Sequence, residues 1–262
     1  MLEPIMSTKN SVPRAALVTG AAQRIGASIA RALARAGYAV AVHANRSRAA
    51  AEALCAEIAQ NGGKAKLATA DLADHAQVTQ LVAAAVAAVG PLTLLVNNAG
   101  EFEVDAFGTL KPEHFDHQFA VNLRAPLFLA QDFAAQARAG SDPSIVNVVD
   151  QRVFRVTPRF FSYTLSKNAL NTATITLAQA LAPRIRVNAV APGPTLPSPR
   201  QDAHAFAQQA ALVPLGRGPR PEEIADAVLY LAGARSVTGV TLAVDGGQHI
   251  AWETPDATGV DE

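Results

Sequence analysis

The residues best suited to chemistry fall in one stretch: Ser162, Tyr163, Thr164, Leu165, Ser166 and Lys167, with Asp150 thirteen positions before the tyrosine. On a helix, Tyr163 and Lys167 stand four apart and project from one face, which brings an ammonium beside a phenol. A phenol ordinarily ionises near pH ~10, and a close cation lowers that by roughly 1 to 3 units, so the pairing predicts a tyrosine that exchanges protons near working pH. The same spacing also describes a solvated pair on a helix surface, so its meaning depends on the elements that hold it.

Those elements alternate. Residues 15–19 form a short apolar run ending at Gly20, and residues 25–36 follow with helical spacing and Gly37 as a stop. The pattern repeats as strands at 38–43, 64–70, 92–96, 144–149, 184–190 and 240–244. Helices are predicted between them at 48–60, at 74–89 with an aspartate cap, as one long segment at 112–138, at 161–181 and at 221–232. An irregular, proline-bounded excursion runs from about residue 192 to 219 and holds a short helix at 203–212. It reads either as a lid over a substrate or as packing filler. Apolar strands alternating with helices predict an α/β fold with a parallel sheet covered on both faces.

Composition narrows the partners. The 22 basic and 22 acidic residues cancel, which gives no electrostatic case for nucleic acid or an anionic membrane and points to a small molecule. Cys55 is the only cysteine, so an internal disulfide or thiolate metal site is excluded and a cytoplasmic location is expected. His114, His117, His204 and His249 are scattered without ligand spacing, and no metal is expected. Residues 1–13 have no signal-peptide core and read as a leader; residues 81–96, the longest apolar run, break at Gly90-Pro91 and cannot span a bilayer. One domain is expected over 14–248, with a loop at about 194–219 and a tail at 249–262 that includes Trp252.

Thr19, Gly20, Ala21, Ala22, Gln23, Arg24, Ile25 and Gly26 lie where the first strand turns into the first helix, so backbone N–H groups and the helix dipole face an incoming pyrophosphate. A purely structural turn has the same glycines. Strand two ends in His43, Ala44, Asn45, Arg46 and Ser47, with no carboxylate to hold a ribose 2′-hydroxyl. Arginine and serine there would grip a 2′-phosphate with Arg24 on its other side, which favours NADP(H) over NAD(H). Arg46 alone also reads as a solvated helix start, and Asp71, before Leu72, either meets the adenine amine or begins a turn.

Thr19-Gly20 with Gly26, Asp71, Asn97-Asn98-Ala99-Gly100, Asn122, Tyr163 with Lys167, and Pro192-Gly193 resemble, in order and spacing, the short-chain dehydrogenases/reductases. The resemblance covers residues 14–248 and implies a single Rossmann-like, doubly wound domain with a seven-stranded parallel sheet flanked by helices, assembled as a homotetramer. It implies that Asn98, Ala99 and Gly100 border the cofactor and that Asn122 holds a water linked to Lys167. Tyr163 would be the proton donor, Lys167 would also bind the nicotinamide ribose, and Pro192, Gly193 and Thr195 would line the nicotinamide. Two departures, Arg24 for a third glycine and Asp150 for the usual serine, together with the His43 to Ser47 run, resemble the pteridine reductase branch, which includes dihydromonapterin-type reductases. Phe102 falls where that branch stacks a ring on the pterin, or else anchors a loop; Gly100-Glu101 replaces the small residues usual there.

An ionised Asp150 would oppose the alkoxide formed in ketone reduction, whereas a C=N bond leaves a nitrogen that needs a proton, which an acid pair of Asp150 and Tyr163 would relay. Asp150 otherwise caps a loop or pairs with Arg152 or Arg155. The reading is an NADPH-dependent reductase of a pterin-like C=N or C=C substrate, with Asp150, Tyr163, Lys167 and Asn122 catalytic and Phe102 against the substrate. The alternatives are a carbonyl reductase of the same superfamily and an NADP(H)-binding regulator without turnover.

Overall fold

Seven apolar strands, each too short to bury itself, share one sheet. The computed structural model describes residues 13–198 and 200–252; the expected leader, apart from Pro13, and the tail beyond 252 lie outside them. The strands are β1 (Ala15–Val18), β2 (Ala39–Ala44), β3 (Lys64–Thr69), β4 (Leu94–Asn97), β5 (Ser144–Val148), β6 (Arg186–Pro192) and β7 (Thr241–Val244). They pair in the order β3-β2-β1-β4-β5-β6-β7, all parallel. Val18 sits opposite Val42 on one side and Val96 on the other. The order reverses between β1 and β4, and a crevice opens at the carboxyl ends of such a pair.

The strands' two-residue alternation divides the core. Ala16 and Val18 face one layer, with Ile29 and Leu33 of α1 (Arg24–Arg35), Leu54 and Ile58 of α2 (Arg48–Gln60), and Val228 and Leu231 of α8 (Pro221–Gly233). Ala15 and Leu17 face the other, with Leu81 of α3 (His75–Val89), Leu129 and Phe133 of α5 (Ala125–Gln136) and Ala178 of α6 (Phe161–Leu181). Both faces are dry, as a parallel sheet requires.

The long helical segment expected over 112–138 forms over residues 112–136, with a π turn at Ala120–Arg124 between α4 (Pro112–Phe119) and α5. Pro126 has no N–H to return to the Asn122 carbonyl, so the α-helical bond at that point is missing and the wider turn takes its place. In the excursion after β6, α7 (Ala203–Ala211) is capped by Asp202, whose carboxylate accepts from the Ala205 N–H at 2.7 Å.

Candidate active site

The turn after β1 is built around two positions that no side chain fits. Gly20 has φ +60°, and a Cβ on it would lie 2.9 Å from Ala99 Cα; a Cβ on Gly26 would lie 2.3 Å from the Gly20 carbonyl oxygen and 2.6 Å from Asn98 Nδ2. Asn98 donates to the carbonyls of Thr19 (2.9 Å) and Gly20 (3.1 Å), while Thr19 Oγ1 accepts the backbone N–H groups of Asn98 and Ala99. Arg24, at the expected third glycine, keeps a glycine-like φ of 56°. Beside this turn lies a groove of about 690 Å³ that gathers Gly20, Arg24, Ile25, Gly26, His43, Asn45, Arg46, Ser47, Asp71, Leu72, Asn98, Ala99 and Gly100.

Two of these residues are engaged differently from expectation. His43 is buried, its Nδ1 accepts the Gly20 N–H at 3.0 Å, and its Nε2 lies 3.1 Å from the Ala70 carbonyl, so Nε2 carries the proton. Burial lowers its pKa and keeps it neutral. Both ring nitrogens fasten the turn. The Arg24 guanidinium donates to the carbonyls of Pro197 (2.9 Å) and Leu196 (3.3 Å), which ties the phosphate turn to the excursion after β6.

Pro192, Gly193 and Thr195 stand at the end of β6, outside the lining of that groove. Gly193 passes so close to β7 that a Cβ would be 2.7 Å from Asp245 Cα. Gly100 joins the groove to the catalytic side, since a Cβ there would meet Asn122 Oδ1 at 3.3 Å and Lys167 Nζ at 3.4 Å.

The helix α6 that carries Tyr163 and Lys167 begins after Phe160, a non-glycine residue at φ 53°. Its leading N–H groups are met from the β4–α4 connection: Phe161 N–H donates to the Asp105 carbonyl (3.3 Å) and Ser162 N–H to the Asp105 carboxylate (3.1 Å). Lys167 is buried and donates to the Val148 carbonyl at 2.8 Å, with Nζ 5.8 Å from the centre of the Tyr163 ring. Burial lowers its pKa to about 8, against the pull of Asp150. Asn122, on the π turn, accepts the Glu101 N–H at 2.8 Å and donates to the Glu101 carbonyl and to Ser166 Oγ. Its amide thus clamps the residue before Phe102.

Tyr163 corrects the expectation of a lysine-acidified phenol. Its pKa is raised well above the ordinary value, first by burial and then by the charge of Asp150, with Arg152 pulling the other way. The hydroxyl donates to Asp150 Oδ2 at 3.1 Å. The phenol is therefore held protonated, with burial and the Asp150 charge outweighing Arg152.

Asp150 makes the structural contacts as well as the chemical one. It caps a 3₁₀ turn at Gln151–Val153, accepting the Arg152 N–H at 2.9 Å, and its two oxygens each lie 3.1 Å from an Arg152 guanidinium nitrogen. Every one of these bonds reaches Asp150 as an acceptor, so the expected acid pair is instead a tyrosine donor on an ion-paired carboxylate. Phe102 stacks on Phe160 (4.2 Å, 16°) and meets Tyr163 edge-on at 4.7 Å. The loop-anchoring reading of Phe102 is thus realised on one face. Arg200, from the excursion after β6, lies 5.6 Å over the Phe102 ring, donates to the Phe102 carbonyl and pairs with Glu103 at 3.1 Å.

Reading by motif missed Asp105, Phe160 and Arg200. Each acts across a long chain separation, and only Asp105, a cap-forming residue type in a loop, carried any local signal. Arg152 was visible as a pairing partner and not as part of the site. Among the described residues no group of three or more His, Cys, Asp or Glu side chains is placed to hold a metal ion.

A family described as enoyl-(acyl carrier protein) reductase matches residues 20–249. The crystal structure of FolM alternative dihydrofolate reductase 1 from Brucella canis, complexed with NADP, superposes with a TM-score of 0.91 at 49% identity, covering 95% of this chain and 98% of that one. An uncharacterized oxidoreductase of Methylorubrum extorquens is 39% identical over 242 residues, 89% of this chain and 97% of its own. L-xylulose reductase of Bos taurus is 38% identical over 89% of this chain and 96% of its own.

Proposed function

The chain belongs to the short-chain dehydrogenases/reductases, with the family matched over residues 20–249 and relatives 38–39% identical over 89% of its length, and from that premise we propose that it is an NADPH-dependent reductase of a pterin-like substrate with a C=N or C=C bond. The observation that carries this is the Tyr163 hydroxyl held 3.1 Å from Asp150 Oδ2 beside the Phe102 ring. The 49% identical Brucella canis protein, named an alternative dihydrofolate reductase and complexed with NADP, supports the same reading.

The groove fits the cofactor. Gly20 and Gly26 admit no side chain where a backbone must approach pyrophosphate, and the end of β2 offers Asn45, Arg46 and Ser47 without a carboxylate to repel a 2′-phosphate. Asn98, Ala99 and Gly100 would border the dinucleotide, and Pro192, Gly193, Thr195 and Lys167 would flank its nicotinamide end. Bound there, NADPH supplies the hydride.

The chain's own residues supply the proton. Tyr163 keeps its proton up to the moment of transfer because burial and Asp150 oppose its ionisation, and an electron-rich nitrogen in the substrate draws it off. Lys167, buried beside the ring with a pKa near 8, stabilises the phenolate that remains, which regains its proton from solvent. Asn122 fixes Glu101 and with it the approach of Phe102. Homotetramer assembly and a cytoplasmic location belong to the same proposal; no helix among the described residues is long and apolar enough to cross a membrane.

One observation favours a second reading, carbonyl reduction. Because the Arg152 guanidinium closes on both Asp150 oxygens, the carboxylate meets a developing alkoxide as a neutralised pair, which weakens the electrostatic objection to a ketone. Following NADPH consumption with a dihydropterin, dihydrofolate, a 3-oxoacyl thioester and a ketose in parallel decides between them. Turnover of the pterin substrates is expected; turnover of the thioester or ketose alone overturns the pterin reading and leaves the carbonyl one.

A further inference from the structure

The geometry points to Arg152 as a positioning residue for proton delivery: its guanidinium spans both oxygens of Asp150 and makes that carboxylate a fixed acceptor, which presents the Tyr163 hydroxyl to the substrate in one orientation. The inference rests on Tyr163 being the proton donor.

Three observations support it. The Arg152 side chain is mostly buried, 18% exposed, and places one guanidinium nitrogen, Nη1, 3.1 Å from both carboxylate oxygens, while its backbone N–H makes a third bond to Oδ1 at 2.9 Å. Asp150 therefore cannot rotate without breaking charge-assisted bonds. Its guanidinium carbon lies 5.5 Å from the centre of Phe102 and 5.4 Å from that of Phe160, so the rings that border Tyr163 also hold the arginine in place. The Arg152 Nε–H is buried and has no acceptor among the described residues.

The charges that act on the Tyr163 hydroxyl are those of Asp150 and Arg152 on the segment after β5; on its own helix Lys167 Nζ lies 5.8 Å from the ring centre, and Arg200 packs over the neighbouring Phe102. Asp150 and Arg152 act on the phenol with opposite sign. Removing the two is expected to move its ionisation in opposite directions.

The test is a tyrosinate absorbance titration of protein without cofactor or substrate, with the Y163F spectrum subtracted to remove Tyr38 and Tyr230, in the parent, Arg152→Ala and Asp150→Asn. The Tyr163 phenolate is expected at higher pH in R152A and at lower pH in D150N than in the parent. Steady-state assays of R152A are expected to show kcat down about 10²-fold, the effect of a small misplacement of reacting groups, with NADPH affinity unchanged and part of kcat restored by added guanidinium. Arg152→Lys keeps the charge and loses the planar group lodged against Phe102 and Phe160 that holds Nη1 on the carboxylate, so it holds the phenolate near its parent position and leaves kcat low. This variant carries the test if R152A does not fold. An R152A protein with a parental circular dichroism spectrum and an unmoved phenolate overturns the proposal, as does an R152K protein with parental kcat. The titration needs no substrate, so its failure is separate from failure of the pterin reading.

Discussion

The two ends of the active-site cleft are built on different plans. On the candidate cofactor side, the carboxyl ends of neighbouring strands hold one another: Asn98, after β4, fastens Thr19 and Gly20, and His43 of β2 joins Gly20 to Ala70, after β3. On the substrate side, three loops meet through side chains. Asp105 caps α6, Arg152 holds Asp150, and Arg200 ties the excursion after β6 to Phe102 and Glu103, with Phe160 kept in a left-handed backbone conformation among them. A site shared by many substrates' reductases needs the first plan constant and the second adjustable, and loops held by side chains are the adjustable kind.

That contrast can be broken from either side. The largest effect is expected from Tyr163→Phe, which removes the proton and should cut kcat by about 10² to 10⁴-fold while leaving NADPH affinity at the parental value. Isothermal titration with the cofactor alongside steady-state assays checks both halves, and a fall in NADPH affinity to match would mean that the two sides are not separable. Next is Lys167→Met. The buried ammonium has its pKa lowered from 10.5 to about 8, so between those values the unfolded chain binds more protons than the folded one and stability rises with pH. Below pH 8 the burial cost is complete, of the order of 3 kcal/mol. Urea unfolding across pH 7 to 11 should show the methionine variant more stable at pH 7 and the advantage shrinking as pH climbs through 8 to 10.5, with activity lost throughout.

Arg46→Ala tests the other side. A charged hydrogen bond to a 2′-phosphate contributes about 1.5 to 3 kcal/mol, so NADPH affinity should fall roughly 10 to 100-fold while NADH affinity stays unchanged. Equal losses for both dinucleotides would remove Arg46 from the phosphate site. The smallest effect is expected from Asp105→Ala, which strips the carboxylate from the start of α6 and should lower stability by about 0.5 to 2 kcal/mol in thermal unfolding, with Asp105→Asn recovering most of it.

Much of the cleft was readable because its signals are local. A strand, a glycine turn and a helix follow one another within residues 15–36, and the absence of a carboxylate after β2 is visible in five residues. The groove beside the first turn accordingly gathers the residues expected there, except that His43 turns inward to serve the backbone and the Arg24 guanidinium reaches across to Leu196 and Pro197. The boundaries of α6 were readable too, since its 21 residues carry no proline or glycine. The long helix over 112–136 was readable as well; the π turn within it at Ala120–Arg124 was not, because a single Pro126 reads as tolerable in an amphipathic run, although its missing N–H is what displaces the ladder.

By itself, the sequence determined which elements form, in what order, and which side chains bear protons and charge, because backbone hydrogen bonding and apolar periodicity act over a few residues. The spacing of Tyr163 from Lys167 follows from that alone. The direction of the tyrosine's pKa does not. It depends on how much water the packed loops exclude and on which of Asp150, Arg152 and Lys167 lies nearest the hydroxyl. Desolvation and Coulomb energy are set by distances through space, and only the tertiary structure fixes those.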